Sequence, residues 1–161
     1  MSLSEIAFEQ IANNYYWGKY GEFKVIVDIN TGYVNATHLC GMANGKNGLR
    51  KEFKHWNETM QSKELILEVS ASVDMSTDAL LQVITGGQVM EIRGTYAHPD
   101  LIPHIASWAS PKFAVRVSKI VNAQLVRDYK ETIRIKDQNI DRLEAKLDAQ
   151  MAKLAEQTLK I

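Results

Sequence analysis

From Pro111 to Ile161 the chain contains no further proline and no glycine, the two residues that most readily end a helix. One unbroken helix is therefore expected over this stretch, roughly 75 Å long at 1.5 Å per residue. Val126, Ile133, Ile140, Leu147, Leu154 and Ile161 recur at seven-residue intervals. The positions three residues further on, Tyr129, Lys136, Leu143, Gln150 and Gln157, are mixed in polarity. A helix of this length is marginal in water unless its apolar stripe is packed. The tail, residues 123–161, is thus read as a coiled coil that associates through Val126, Ile133, Ile140, Leu143, Leu147 and Leu154. A frayed tail, or a helix folded back on the rest of the chain, is the alternative.

Upstream, GTYAHPDLIPHIASWASPKFAVRVSKIV (94–121) strings two proline-started helices after a strand. Gly94 frees the backbone at the strand exit, and Pro99 suits a first helical turn, where its missing N–H costs little. Ser110-Pro111 repeats the device with a hydroxyl cap. Leu101, Ile105 and Trp108 then form the inward face of the first helix, and Phe113, Val117, Ile120 and Val121 that of the second. Earlier still, Ile6, Phe8 and Ile11 suggest a short helix or arm over residues 3–12. Tyr15–Tyr20 and Phe23–Ile29 read as strands, and Asn30-Thr31-Gly32 turns the chain into a third at Tyr33-Val34. Asn35 is placed to cap a helix, Ala36–Met42. A glycine-rich turn over 41–48 leads to a second helix from Leu49 to about Leu67, with Phe53, Trp56 and Met60 inward. Residues 69–78 read as a loop or helix end. Leu80–Thr85 and Val89–Arg93 flank Gly86-Gly87 as a hairpin. The order of strands, helix–turn–helix, hairpin and two helices is an α+β outline of the winged-helix kind.

Charge and composition narrow the function. Nineteen basic and nineteen acidic residues give a net charge of zero, so any nucleic-acid footprint has to be local. A single cysteine, Cys40, precludes an intrachain disulfide and a zinc finger within this chain, and fits a reducing compartment. The N-terminus does not read as a signal peptide, and no run approaches the roughly 20 apolar residues that span a bilayer. The sequons at Asn35 and Asn57 are then incidental. The segment 41–47 is one residue short of a phosphate-binding loop and lacks its Ser/Thr. His38 with Cys40, or His98 with His104, lack partners at metal-ligating spacing. His98 is instead expected to cap the helix begun by Pro99. No cofactor, metal, small-molecule substrate or catalytic group is expected.

The strongest candidate site is the turn and second helix of the helix–turn–helix. Lys46, Arg50, Lys51, Lys54 and His55 crowd ten residues, opposed only by Glu52. Helical geometry puts Arg50, Lys54 and Asn57 on one face, away from Phe53 and Trp56. The lysines and Arg50 suit phosphates, while Asn47 and Asn57 suit base edges. A second candidate is the hairpin, with Gln82, Thr85 and Gln88 around Gly86-Gly87 and Arg93 beyond. The plain alternatives are a solvated charged helix face and an ordinary glycine turn. Lys112, Arg116 and Lys119 also share a helical face, which reads as solvated.

GEFKVIVDINTGYVNATHLC (21–40), FKHWNETMQSKELI (53–66) and the 94–121 string, in that order, resemble the KilA-N domain of large DNA viruses and bacteriophages, related to the fungal APSES DNA-binding domain. The resemblance covers roughly residues 20–121. It implies a winged-helix-like DNA-binding domain over 1–122, with the Gly86-Gly87 hairpin as the wing. It also implies double-stranded DNA as the partner and a viral protein acting inside the infected cell, in nucleus or cytoplasm. With the tail, the expectation is a homo-oligomeric duplex-DNA binder. The rival is a viral assembly or adaptor protein whose domain binds other proteins. A third reading takes Tyr15, Tyr16 and Trp17 as a stacking platform for single strands.

Overall fold

The computed structural model describes residues 7–43 and 51–159. Strand β1 (Ala7–Ala12) is followed by β2 (Tyr15–Tyr20), β3 (Phe23–Asp28) and β4 (Val34–Asn35). Helices α1 (Ala36–Ala43), α2 (Phe53–Glu58) and α3 (Met60–Val73) come next. A 3₁₀ turn, Thr77–Leu80, leads into β5 (Leu81–Ile84), and a second one, Met90–Ile92, precedes β6 (Gly94–Ala97). A third, Pro99–Leu101, opens into α4 (Ile102–Ala109), and α5 runs from Pro111 to Leu159. The fold is α+β, with one six-stranded sheet in the order β1-β2-β3-β4-β6-β5 and each neighbouring pair of strands antiparallel.

Strand β3 is buried on both sides, because side chains alternate across a strand. Val25 and Val27 enter the main core with Ala36, Leu39 and Cys40 of α1, Phe53 and Trp56 of α2, and Leu101, Ile102 and Ile105. Ile26 joins a second cluster with Tyr33 and Tyr96. Phe113, in the first turn of α5, closes the main core against the rings of Tyr20 and Phe23, each 5.6 Å away. The caps expected from sequence are formed. Ser110 Oγ accepts from the Phe113 N–H, and His98 Nδ1 accepts from the Asp100 N–H.

Asn35 joins the sheet to the helices. Its side chain is fully buried. Its Oδ1 accepts the His38 N–H at 3.0 Å, capping α1, while its Nδ2 donates to the Arg93 carbonyl at 3.0 Å. Opposite it, Gly94 adopts φ +144°, and a Cβ there would stand 2.5 Å from Asn35 Oδ1. Gly94 thus opens β6 rather than following a strand, and its missing side chain is what admits the amide.

Several expectations are corrected. Within the segment read as a helix or arm, Ala7–Ala12 form a strand, paired to β2 across the Asn13-Asn14 turn, where Asn13 takes φ +50°. Of the helix expected over 49–67, residues 49 and 50 lie outside the described residues, and Phe53 onward forms two helices. Thr59 adopts an extended backbone, ends α2 with its N–H on the Trp56 carbonyl, and caps α3 by accepting the Ser62 N–H. The break turns Met60 outward, 73% exposed, instead of inward. Part of the expected 69–78 loop is helical, since α3 runs on to Val73 and ends where Asp74 takes a left-handed conformation. Residues 89–93 are not a strand: β5 pairs with Gly94–Ala97, leaving a long loop around Gly86-Gly87. Ile120 and Val121 are exposed.

The chain divides into two units, 1–117 and 118–161. In the second, Val126, Ile133, Ile140, Leu143, Leu147 and Leu154 are all exposed on the helix. Polar pairs such as Arg134–Glu131 and Gln124–Asp128 lie along the same helix.

Two measurements check this core. Asn35→Ala removes a helix cap and strands the Arg93 carbonyl, so it should cost roughly 2–4 kcal/mol in urea denaturation. Burial pushes the Cys40 thiol up to about 12, so it stays protonated in the native protein. It should resist alkylation at pH 8 and react readily once urea unfolds the chain.

Candidate nucleic-acid interface

Helix α2 is short, and its direction is fixed by its two aromatic residues. Phe53 and Trp56 are buried with their rings stacked 5.7 Å apart. At helical spacing this turns Lys54 and His55 to solvent, with Asn57 half-buried beside them. Lys54 Nζ lies 3.4 Å from Glu52, an exposed pair that leaves the ammonium accessible. Lys51 behaves differently: its Nζ donates to the Trp108 carbonyl at 2.9 Å and sits 5.6 Å from the Trp108 ring centroid. A cation at the last turn of α4 meets carbonyls that have no helical partner, so Lys51 ties the start of α2 to α4. Lys46, Asn47 and Arg50 lie outside the described residues.

Between α2, α3 and α4 lies a groove of about 430 Å³, lined by Trp56, Ser62, Leu65, His104, Ser107 and Trp108 among others. Among the described residues, no group of three or more His, Cys, Asp or Glu side chains is placed to hold a metal ion. No described helix is long and apolar enough to cross a membrane.

At the hairpin, Gln82 projects from β5, and Thr85 and Gln88 stand exposed on the loop. Gly86 and Gly87 take φ +73° and +83° with open space where a Cβ would be. Arg93 bends back to this loop, its Nε donating to the Gly86 carbonyl at 3.1 Å and its Nη2 to that of Gly87 at 2.7 Å. Its guanidinium therefore shapes the tip as well as charging it. The glycines do not form a two-residue turn, because Arg93 and the 3₁₀ turn before it belong to the loop.

Lys112 and Arg116, read from sequence as a solvated face, both reach Glu22 at the β2–β3 turn, at 3.4 and 2.8 Å. First Lys112 and then Arg116 hold the Glu22 carboxyl below the usual carboxylate range. Sequence reasoning missed this triad, the Lys51 tether and the Arg93 clasp. Glu22 and Arg116 are 94 positions apart, and nothing local marks them as partners. Tyr15 and Trp17 are engaged too, Tyr15 against Tyr96 and Trp17 against His38.

The KilA-N domain family model matches residues 18–125. A KilA-N domain-containing protein of Acanthamoeba polyphaga mimivirus is 49% identical over 115 residues, covering 71% of this chain and 32% of that protein. A second from the same virus is 40% identical over 146 residues, covering 91% and 30%. One from Invertebrate iridescent virus 6 is 38% identical over 133 residues, covering 80% and 36%. The chain thus spans about a third of the length of these curated relatives. No solved structure matches it. Strands β3 to β6, the paired helices, the hairpin loop and the first turns of α5 fall within the matched span, while β1 and the start of β2 precede it, and the chain belongs to the KilA-N domain family.

Proposed function

We propose that this protein binds duplex DNA without catalysing a reaction, through α2 and the basic residues that precede it in sequence, with the Gly86-Gly87 loop alongside as a wing. The family is generally associated with DNA binding. The observation that carries the reading is α2 itself, where buried Phe53 and Trp56 hold Lys54 and His55 outward. In the helix–turn–helix mode the second helix lies in the major groove. Lys46, Arg50 and Lys54 then meet phosphates, and Asn47 and Asn57 face base edges. Gln82, Thr85 and Gln88 offer short polar contacts from the loop, with Arg93 holding its shape. The site of action in this reading is the infected cell.

So few cations support a salt slope of roughly −3 to −5 per domain. Effective concentration from a self-associating tail raises the affinity of such a domain. The exposed seven-residue stripe of α5 is the surface for that association, and a second copy of the same helix matches its repeat.

An adaptor reading draws on one specific observation. Residues 1–117 hold ten lysines and arginines against twelve acids, so this unit is net acidic. A protein-only adaptor should pass through a heparin column at low salt, whereas a DNA binder should be retained.

Fluorescence anisotropy on a labelled random-sequence duplex at about 50 and 200 mM salt tests the main reading. The Arg50→Ala/Lys54→Ala double variant should bind roughly tenfold or more weakly, with a salt slope flatter by about 1.8. Binding equal to wild type would overturn the assignment to α2. For the tail, Ile133→Asp/Ile140→Asp should sediment as a monomer under conditions where the wild type sediments as an oligomer.

A further inference from the structure

Most described cations of residues 1–117 have a partner within the chain. Lys51 is on the Trp108 carbonyl, Lys54 on Glu52, Arg93 on the loop carbonyls, and Lys112 and Arg116 on Glu22. Among the described residues no ion pair includes Lys19, Lys24 or Lys63. Two of these three stand together. In the β2–β3 register Lys19 lies directly opposite Lys24, one step from the Trp17–Ile26 pair on the same face.

Side chains directly opposite across two strands sit about 4.5–5.5 Å apart at Cβ, and like charges there are destabilising. The turn between these strands does contain an acid, Glu22, but Lys112 and Arg116 draw it to α5. Lys24 is further held in place, its Nζ 4.2 Å above the ring of Trp17. Trp17 in turn makes an edge contact with His38 of α1. Burial, and then the Lys24 charge, hold the His38 imidazole below its usual range, as expected beside an unneutralised ammonium.

The contact with α1 decides what this pair is for. In helix–turn–helix docking the first helix crosses the sugar–phosphate backbone while the second enters the groove. In that docking mode a basic pair next to the start of the first helix would lie within reach of that backbone. We propose that Lys19 and Lys24, positioned by Trp17, form a second phosphate-binding station that clamps the duplex backbone beside α1. The inference rests on the duplex-DNA reading above. A duplex presents a phosphate charge about every 3.4 Å of axis on each strand, dense enough to neutralise both ammoniums and relieve their mutual repulsion.

The test is the anisotropy titration with three variants: Lys19→Gln/Lys24→Gln, Lys24→Glu, and Arg50→Ala/Lys54→Ala. The double glutamine variant should bind more weakly by a similar factor on unrelated sequences, with a salt slope flatter by about 1.8. Its melting temperature should equal or exceed that of the wild type, because a like-charge pair is removed. Lys24→Glu pairs with Lys19 and keeps the hairpin folded, so it decides the matter if the double variant is unstable. It should weaken binding at least as much. Wild-type affinity and slope in a folded lysine variant, with loss in Arg50→Ala/Lys54→Ala, would overturn this inference alone. A wild-type protein that ignores duplex DNA at low salt would overturn both.

Discussion

One buried amide constrains the domain more than any other group. Asn35 ends β4, starts α1 and holds the carbonyl that precedes β6. Each end of the amide has a backbone partner, so neither its oxygen nor its nitrogen is left without a bond inside the core. The arrangement needs Gly94, since no side chain fits where the amide lies. Thr37 reinforces the same seam, its hydroxyl accepting the Thr95 N–H at 3.0 Å. These bonds fix the first helix of the helix–turn–helix to the strand that follows the hairpin loop. The two proposed DNA-contacting elements therefore share one frame.

Within that frame, charge is allocated by geometry. A chain of zero net charge can still present a basic surface if its acids are neutralised elsewhere. Glu22 shows how: α5 brings two cations to this acid, which lies in sequence between Lys19 and Lys24. Lys51 and Arg93 work the other way, as cations engaged by carbonyls in holding α2 and the loop in shape. Lys19, Lys24 and Lys54 remain turned outward among exposed acids such as Glu58 and Glu64, a small positive set suited, in the proposed reading, to positioning phosphates rather than to strong unspecific attraction.

Much of this was legible residue by residue. Asn35, Ser110 and His98 each announced a helix start, because a cap is a contact between residues two or three positions apart. The aromatic run of Tyr15–Tyr20 and the apolar run within Phe23–Ile29 marked the central strands, and the absence of helix breakers marked α5. The misreadings share a cause. Phe53, Trp56 and Met60 fit one helical stripe, yet Thr59 breaks it by using its hydroxyl at once against the Trp56 carbonyl and the Ser62 N–H. Gly86-Gly87 looked like a tight turn, but the loop extends to Arg93, which clasps it. Periodicity identifies which side chains prefer a core, and cannot register a polar residue whose local bonds interrupt the pattern.

The sequence by itself determined the local chemistry: the central strands β2 and β3, the caps of α1 and of the two proline-started helices, and a long C-terminal helix with a seven-residue apolar stripe. Those outcomes depend on interactions a few residues long. Only the tertiary structure decided which cations remain available. A lysine's partner is whatever the fold brings within about 4 Å, and for Glu22, Lys51 and Arg116 that partner comes from a distant part of the chain. The Lys19–Lys24 opposition is the same lesson in reverse, for strand register sets two like charges face to face and the fold carries off the acid between them.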